Sequence, residues 1–313
     1  MKKLLFIYNP QSGRGTVKPH LDQILEIFED AGYLVDIVRI QEGFAGDISD
    51  IITQRAVKYD RIVCCGGDGT LNHTVSALMK LPGNERPVTG FIPAGSTNDT
   101  GRSLDIPREV VKAARTVVSG EPFETDIGRL NDQYFTYVAC FGEISAVSAF
   151  TPQEAKKVFG RAAYIGEGLK AALKMKANHI KCRYDGGNEI EGDFLIGMIS
   201  NSNSVGGFSG LMGKDIDLQD GLFEAAFVRK PENLNELNMI LDSLFISKKE
   251  AESERGRLVE RFKSSGMQII SDEDIQWVKD GEDAGRHKTV KITNENRAVR
   301  IITGPKLYEE EES

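Results

Sequence analysis

No uncharged apolar run in this 313-residue chain approaches the roughly eighteen residues that a membrane-spanning helix needs. Cysteine is scarce as well, at four residues. Cys64 and Cys65 are neighbours in an apolar stretch, while Cys140 and Cys182 stand alone. That pattern offers no disulfide framework and no zinc spacing, so reduced, buried thiols in a reducing cytoplasm are expected. An excess of basic charge is missing too. The net charge of −8 argues against nucleic acid as a main partner and against strong global attraction to an anionic membrane. There is no internal repeat and no low-complexity linker. Met1-Lys2-Lys3 and the apolar residues 4–8 are too short for a signal peptide, and they break at Asn9-Pro10 without a small-residue cleavage site. A first β-strand is the expected reading, and the acidic residues 309–312 read as a solvated tail.

What is present describes a folded protein. Apolar residues make up 40% and charged residues 27% of the chain, and its length suggests two domains. The first third alternates strand and helix. Strands are expected at 3–8, 34–40, 61–65 and 88–92, and helices at 20–31, 47–58, 71–81 and 107–119. Such alternation implies a doubly wound, mostly parallel α/β sheet whose ligands bind at the carboxyl ends of the strands. From about residue 123 strands crowd together, at 123–130, 134–140, 180–184, 189–200, 222–228, 266–271, 275–278, 289–293 and 298–303. Turns are expected at Gly186-Gly187 and Asp280-Gly281, and two helices at 157–176 and 234–245. A mostly antiparallel β-sandwich is expected there. The division is 1–122 and 123–294, with 295–313 packing back on the first domain. Lys156, Lys157, Arg161, Lys170, Lys174, Lys176, Lys181 and Arg183 crowd residues 155–183, opposed by Glu167. They read as a solvated helix face or as a basic platform for lipid head groups or phosphates.

Three glycine-rich loops fall at strand ends. The first runs Asn9-Pro10-Gln11-Ser12-Gly13-Arg14-Gly15. Gly13 lets backbone amides approach an anion, Ser12 can donate and Arg14 can pair with phosphate, although the Walker G-K-[ST] ending is absent. The second, Gly66-Gly67-Asp68-Gly69-Thr70-Leu71-Asn72, carries the strongest signal. Its glycines remove side chains that would block a polyphosphate, Asp68 can accept from a ribose hydroxyl or hold a metal, and Thr70 can cap the helix that follows. The third, residues 92–102, places Gly95, Ser96, Thr97, Asn98 and Asp99 one strand–helix unit later. The fourth element, Trp277 to Glu282, reads on its own as a hairpin turn with a solvated Glu282.

Together these segments resemble the soluble diacylglycerol kinase catalytic family, which includes sphingosine and ceramide kinases. Further matches are Val118-Ser119-Gly120, Asp126-Ile127-Gly128, Gly207-Phe208, Asp220-Gly221-Leu222-Phe223 and Asp280-Gly281-Glu282. The resemblance implies an NAD kinase-like nucleotide domain, a β-sandwich lipid domain and a site in the cleft between them. It implies ATP and Mg²⁺, with a lipid alcohol, diacylglycerol first, as acceptor in phospholipid or lipoteichoic acid metabolism. It also implies roles. Asp68 serves the magnesium nucleotide, and Thr70, Asn72, Thr97 and Asn98 contact the nucleotide. Asp99 and Asp126 belong to an acidic network, Glu282 is the general base, and Asp217 and Asp220 hold a structural Mg²⁺. Three positions depart from the family pattern: Arg14 and Glu167 where Lys is usual, and Gln219 where an Asp is common. Alternatives are an NAD kinase-like transferase acting on a soluble nucleotide and a catalytically weak lipid- or nucleotide-binding regulator. Transient membrane contact is implied, and a homodimer through a sandwich edge rests on family analogy.

Overall fold

The computed structural model describes residues 1–40, 45–142, 175–206, 208–209, 212, 216–233, 235–236, 239–240 and 258–304. In chain order the strands are β1 (Lys2–Tyr8), β2 (Tyr33–Arg39), β3 (Arg61–Gly66), β4 (Val88–Pro93), β5 (Glu121–Leu130), β6 (Gln133–Phe135), β7 (Val138–Gly142), β8 (Asn178–Tyr184), β9 (Asn188–Ser200), β10 (Ser204–Val205), β11 (Phe208–Ser209), β12 (Phe223–Arg229), β13 (Val259–Ser264), β14 (Gly266–Lys279) and β15 (Glu282–Thr303). The helices are α1 (Leu21–Asp30), α2 (Ala45–Arg55), α3 (Asp68–Leu78), α4 (Asp99–Ser103) and α5 (Val110–Ser119).

Tertiary contacts separate two units. One comprises Met1–Tyr137, Asn201–Gly221 and Asn294–Ser313, the other Val138–Ser200 and Leu222–Thr293. The chain therefore passes between them at 137/138, 200/201, 221/222 and 293/294, where the sequence suggests boundaries at 122/123 and 294/295. Residues 123–137 and 201–221 carry no compositional break from their neighbours, so their allegiance is set by long-range hydrogen bonds.

In the first unit β1 and β3 are apolar runs buried almost throughout, as strands covered on both faces must be. The order is β2-β1-β3-β4, all parallel, and Ile301 of β15 adds alongside Thr89 of β4 in the same sense. Helix α1 buries Ile24 and Phe28 and packs on α5, while α2 packs on α3. All four strands and four helices expected here are present. Helix α3 starts three residues earlier than expected, at Asp68, with Gly67 as its cap. Thr70 therefore lies within the first turn and does not cap it.

In the second unit the order is β13-β12-β9, then β8 and β7 end to end between β9 and β14, then β14-β15, all antiparallel. The described strands of this unit thus form one hydrogen-bonded series. Trp277, Phe141, Phe227 and Phe194 meet in a chain of tilted and edge-on contacts that fills its core. β14 is one strand where two were expected. Asp272, Glu273 and Asp274 stand exposed at a register shift between Ile270 and Ile275 without ending it. β15 likewise runs through the polar residues 294–297. The Asp280-Gly281 hairpin is present, with φ of 48° and 81°, the doubly left-handed turn that suits twisted strands. Of the helix expected at 157–176 only 175–176 are described, and they are not helical, while residues 235–236 and 239–240 of that expected at 234–245 are described and helical.

Candidate active site

Three of the glycine loops come together at the carboxyl ends of β1, β3 and β4. The contacts are made by backbone, because there are no side chains in the way. A Cβ added at Gly95 would lie 2.5 Å from the Cα of Gly67 and 2.7 Å from Asn98 Oδ1. One added at Gly13, where φ is +55°, would strike the carbonyl oxygen of Ala94. The loops are tied further by Ala94 N–H donating to Gly66 O at 2.7 Å and Asn9 N–H to Cys65 O at 2.9 Å. Asn9 Oδ1 accepts the N–H of Gln11 at 2.9 Å, which shapes the first loop as an Asx turn. Ser12 is half-buried on the short 3-10 turn that follows.

Asp68 sits at the centre of this convergence. It is the first residue of α3, so its carboxylate lies at the positive end of the helix dipole. Its Oδ1 accepts the N–H of Thr100 at 3.2 Å, and its Oδ2 accepts the Thr97 hydroxyl at a longer 3.4 Å. The backbone places Gly69 and Thr70 in the first turn beside it. Asn98 is left-handed, with φ of 53°. It uses both ends of its amide on Gly95, accepting from N–H at 2.8 Å and donating to the carbonyl at 3.0 Å. Asn72 is buried and donates to Tyr134 O at 3.0 Å. Asn98 therefore braces the third loop, and Asn72 ties α3 to β6.

Asp99 and Asp126 are fully buried. Asp99 Oδ1 accepts the Ser204 hydroxyl at 2.5 Å, a short charge-assisted bond. Asp126 takes four donors. Oδ1 accepts Asn296 Nδ2 at 2.9 Å and Arg297 N–H at 2.7 Å, and Oδ2 accepts Gly221 N–H at 2.7 Å and Asn294 Nδ2 at 3.1 Å. Burial pushes this carboxyl up from its ordinary range, and the four donors pull it back only in part. Its main-chain oxygen also accepts Asn201 Nδ2 at 3.1 Å. Asp126 thus pins three of the four places where the chain changes unit.

Asp217 and Asp220 are exposed, and Asp217 Oδ1 accepts the N–H of Gln219 at 3.0 Å. The nearby carbonyls are already engaged. Leu218 O accepts Asp126 N–H at 2.8 Å, and Gln219 O accepts Asn296 Nδ2 at 3.1 Å. Among the described residues no three His, Cys, Asp or Glu side chains are grouped to hold a metal. As described, the donors around Asp217 and Asp220 do not make a cation cage.

In the second unit Glu282 opens β15 directly after the tight turn, opposite Lys279 and half-buried. The turn is fixed by Asp280, whose N–H donates to Val138 O at 2.9 Å and whose Oδ1 accepts Val138 N–H at 3.1 Å. The described end of the basic segment is paired with acids. Lys176 meets Glu273 at 2.6 Å, Lys181 meets Glu189 at 2.7 Å and Glu191 at 2.8 Å, and Arg183 meets Glu189 at 2.8 Å. Those three cations are partly spent within the protein. Lys156, Lys157, Arg161, Glu167, Lys170 and Lys174 lie outside the described residues.

Sequence reasoning missed the partners that hold the acids: Ser103, Ser202 and Ser204 around Asp99, and Asn201, Asn294 and Asn296 around Asp126. The run Asn201-Ser202-Asn203-Ser204 directly after an apolar strand was the available signal, since four small hydrogen-bonding residues rarely follow a buried strand without partners.

Residues 3–130 match the family model described as the diacylglycerol kinase catalytic domain. The diacylglycerol kinase of Staphylococcus aureus (strain JH9) is 33% identical over 312 residues, covering 99% of this chain and 95% of that protein. That of Bacillus subtilis (strain 168) is 38% identical over 232 residues, covering 74% and 75%. The crystal structure of a Bacillus anthracis protein assigned as a diacylglycerol kinase superposes with a TM-score of 0.77 at 25% identity, covering 97% of this chain and 96% of that one. Yeast NADH kinase reaches 0.50 at 10% identity, covering 96% and 82%, and shares the fold.

Proposed function

Because this chain belongs to the diacylglycerol kinase family, we propose that it transfers the γ-phosphoryl group of ATP to the free hydroxyl of diacylglycerol, giving phosphatidic acid. The observation that carries this reading is the meeting of Gly67 with Gly95, and of Gly13 with Ala94, around Asp68. Such a surface offers main-chain N–H groups and a helix N-terminus at close range, which suits a polyphosphate.

The lipid hydroxyl attacks phosphorus in line, so catalysis is mostly positioning and charge neutralisation. The amides of the three loops would hold the phosphate oxygens, with Ser12 and Arg14 contributing from the first loop. Thr97 keeps the Asp68 carboxylate turned toward the loops. Asp68 supplies the hard oxygen that a magnesium nucleotide requires, and bound Mg²⁺ would spread the charge developing on the phosphates. Glu282 is proposed as the base that takes the lipid hydroxyl proton, on the strength of the family resemblance. Asp217 and Asp220 are needed for none of these steps.

Lipid access is proposed to be peripheral and transient from the cytoplasm. No helix among the described residues is long and apolar enough to cross a membrane. The family resemblance also suggests a place in phospholipid or lipoteichoic acid metabolism and a homodimer. The test is to offer the protein labelled Mg-ATP with diacylglycerol in mixed micelles, and separately with NAD. Label in phosphatidic acid supports the proposal; label in NAD alone overturns it.

A further inference from the structure

Asp99 lies one residue before the amide that Asp68 receives, and a serine relay holds it there. The peptide unit joining Asp99 to Thr100 points its N–H at Asp68 Oδ1, 3.2 Å away. The carbonyl end of the same peptide unit accepts the Ser103 hydroxyl at 3.1 Å. The Asp99 side chain is fixed in turn by Ser204, whose hydroxyl donates to Oδ1 at 2.5 Å. Ser202 closes the relay. Its oxygen accepts the Ser204 N–H at 3.1 Å, and its one hydroxyl proton is shared between the Ser103 oxygen and Ser204 O, each 2.6 Å away. Ser202 and Ser204 are each 1% exposed and Asp99 is 0% exposed, so water cannot substitute for these bonds.

A buried carboxylate one residue from a functional amide is costly unless it is paired. Here the pairing comes from β10, some 105 positions along the chain, to the start of a five-residue helix whose own hydrogen bonds are few. We propose that Ser204 is a positioning residue for phosphoryl transfer: by gripping Asp99 it fixes the Asp99–Thr100 peptide, and so aims Thr100 N–H at the Asp68 carboxylate. The inference rests on the kinase reading for its effect on rate, but its geometry is independent of it. Removing the hydroxyl takes away the 2.5 Å bond to Asp99, so the Asp99–Thr100 peptide is held less firmly and Thr100 N–H is aimed less well at Asp68 Oδ1. Asp68 then drifts from the phosphates in a protein that is still folded.

The test combines amide hydrogen exchange with kinetics on Ser204→Ala, using Ser271→Ala as the control. Ser271 is another buried hydroxyl bonded to main-chain carbonyls, in the second unit. Expected for Ser204→Ala are exchange at Thr100 faster by about tenfold or more, and kcat/KM for Mg-ATP lower by about tenfold, the scale of one lost charge-assisted bond. The kinetic loss should vanish in an Asp68→Asn background, because both changes act through one carboxylate. Thr100 exchange within twofold of the parent would overturn the proposal. So would a full additive loss on Asp68→Asn, or an equal kinetic loss in Ser271→Ala. If the parent protein labels no lipid, the kinase reading falls while Thr100 exchange still judges the role of Ser204.

Discussion

Replacing Gly95 by alanine adds one methyl group at a place where the backbone leaves no room for it. The new Cβ would sit 2.5 Å from Gly67 Cα and 2.7 Å from Asn98 Oδ1. The first neighbour is main chain at the head of α3, and the second is an amide whose two ends already grip Gly95. Neither can swing aside, so the loops must part by the better part of an ångström. Overpacking of this kind costs about 1–3 kcal/mol, and for a unit of this size each kcal/mol lowers the melting midpoint by roughly 2–4 °C. The parted loops should also bind Mg-ATP at least about tenfold more weakly, as a polyphosphate cradle is sensitive to misplacement on that scale. Two other glycines calibrate the effect. At Gly67 the added Cβ would lie 3.3 Å from Gly95 Cα, a contact that a small shift relieves, so Gly67→Ala should cost about 1 kcal/mol or less. At Gly83 nothing lies within 4 Å, and Gly83→Ala should leave stability unchanged or raise it by about 0.4–1 kcal/mol. Differential scanning calorimetry and nucleotide titration of the three variants read both quantities. Gly95→Ala melting and binding like Gly83→Ala would refute the contact between the loops, and with it the phosphate cradle.

Asp126→Ala should destabilise the protein by about 3 kcal/mol, since it removes the buried carboxylate on which four donors converge, and calorimetry with limited proteolysis near residues 200, 221 and 294 should report it. The thiols give a prediction at alkaline pH. Burial pushes Cys64 and Cys182 up to about 12, so both should stay unreactive toward a disulfide-exchange reagent at pH 8 until the chain unfolds. Because folding raises these pKa values, their contribution to stability is complete below the free-thiol range and is lost as pH climbs toward about 12. A denaturant midpoint that holds steady through that window, or that does not change in slope with Cys64→Ala, would contradict the burial.

The parallel half of the fold was legible because local pattern and global position agree there. β1, β3 and β4 are short apolar runs ending in glycine, and a strand buried on both faces can hardly read otherwise. The glycine loops could be placed at strand ends from sequence alone. Their convergence follows from the parallel order β1-β3-β4, which puts those ends side by side. What stayed hidden depends on partners far along the chain. Sequence alone does not show that Asn72 donates to Tyr134 O or that Asn98 uses both ends of its amide on Gly95. Nor does it show the four donors of Asp126, two of which are amide side chains about 170 positions away. Residues 294–297 read as a break between strands because they are polar, yet their polarity is what serves Asp126. In the same way the strands expected at 266–271 and 275–278 are one, because an exposed register shift accommodates the acids at 272–274 inside β14.

The central claim is that Asp68, in its cradle of glycine loops, serves phosphoryl transfer from ATP to a lipid hydroxyl. The most direct measurement is transfer of labelled γ-phosphate to diacylglycerol in mixed micelles by the parent protein, Asp68→Asn and Glu282→Gln, with Mg²⁺ and again with the metal chelated. The account predicts labelled phosphatidic acid from the parent, dependence on Mg²⁺, and loss of about a hundredfold or more in kcat for both variants at unchanged melting midpoint. Transfer that survives Asp68→Asn intact would contradict it.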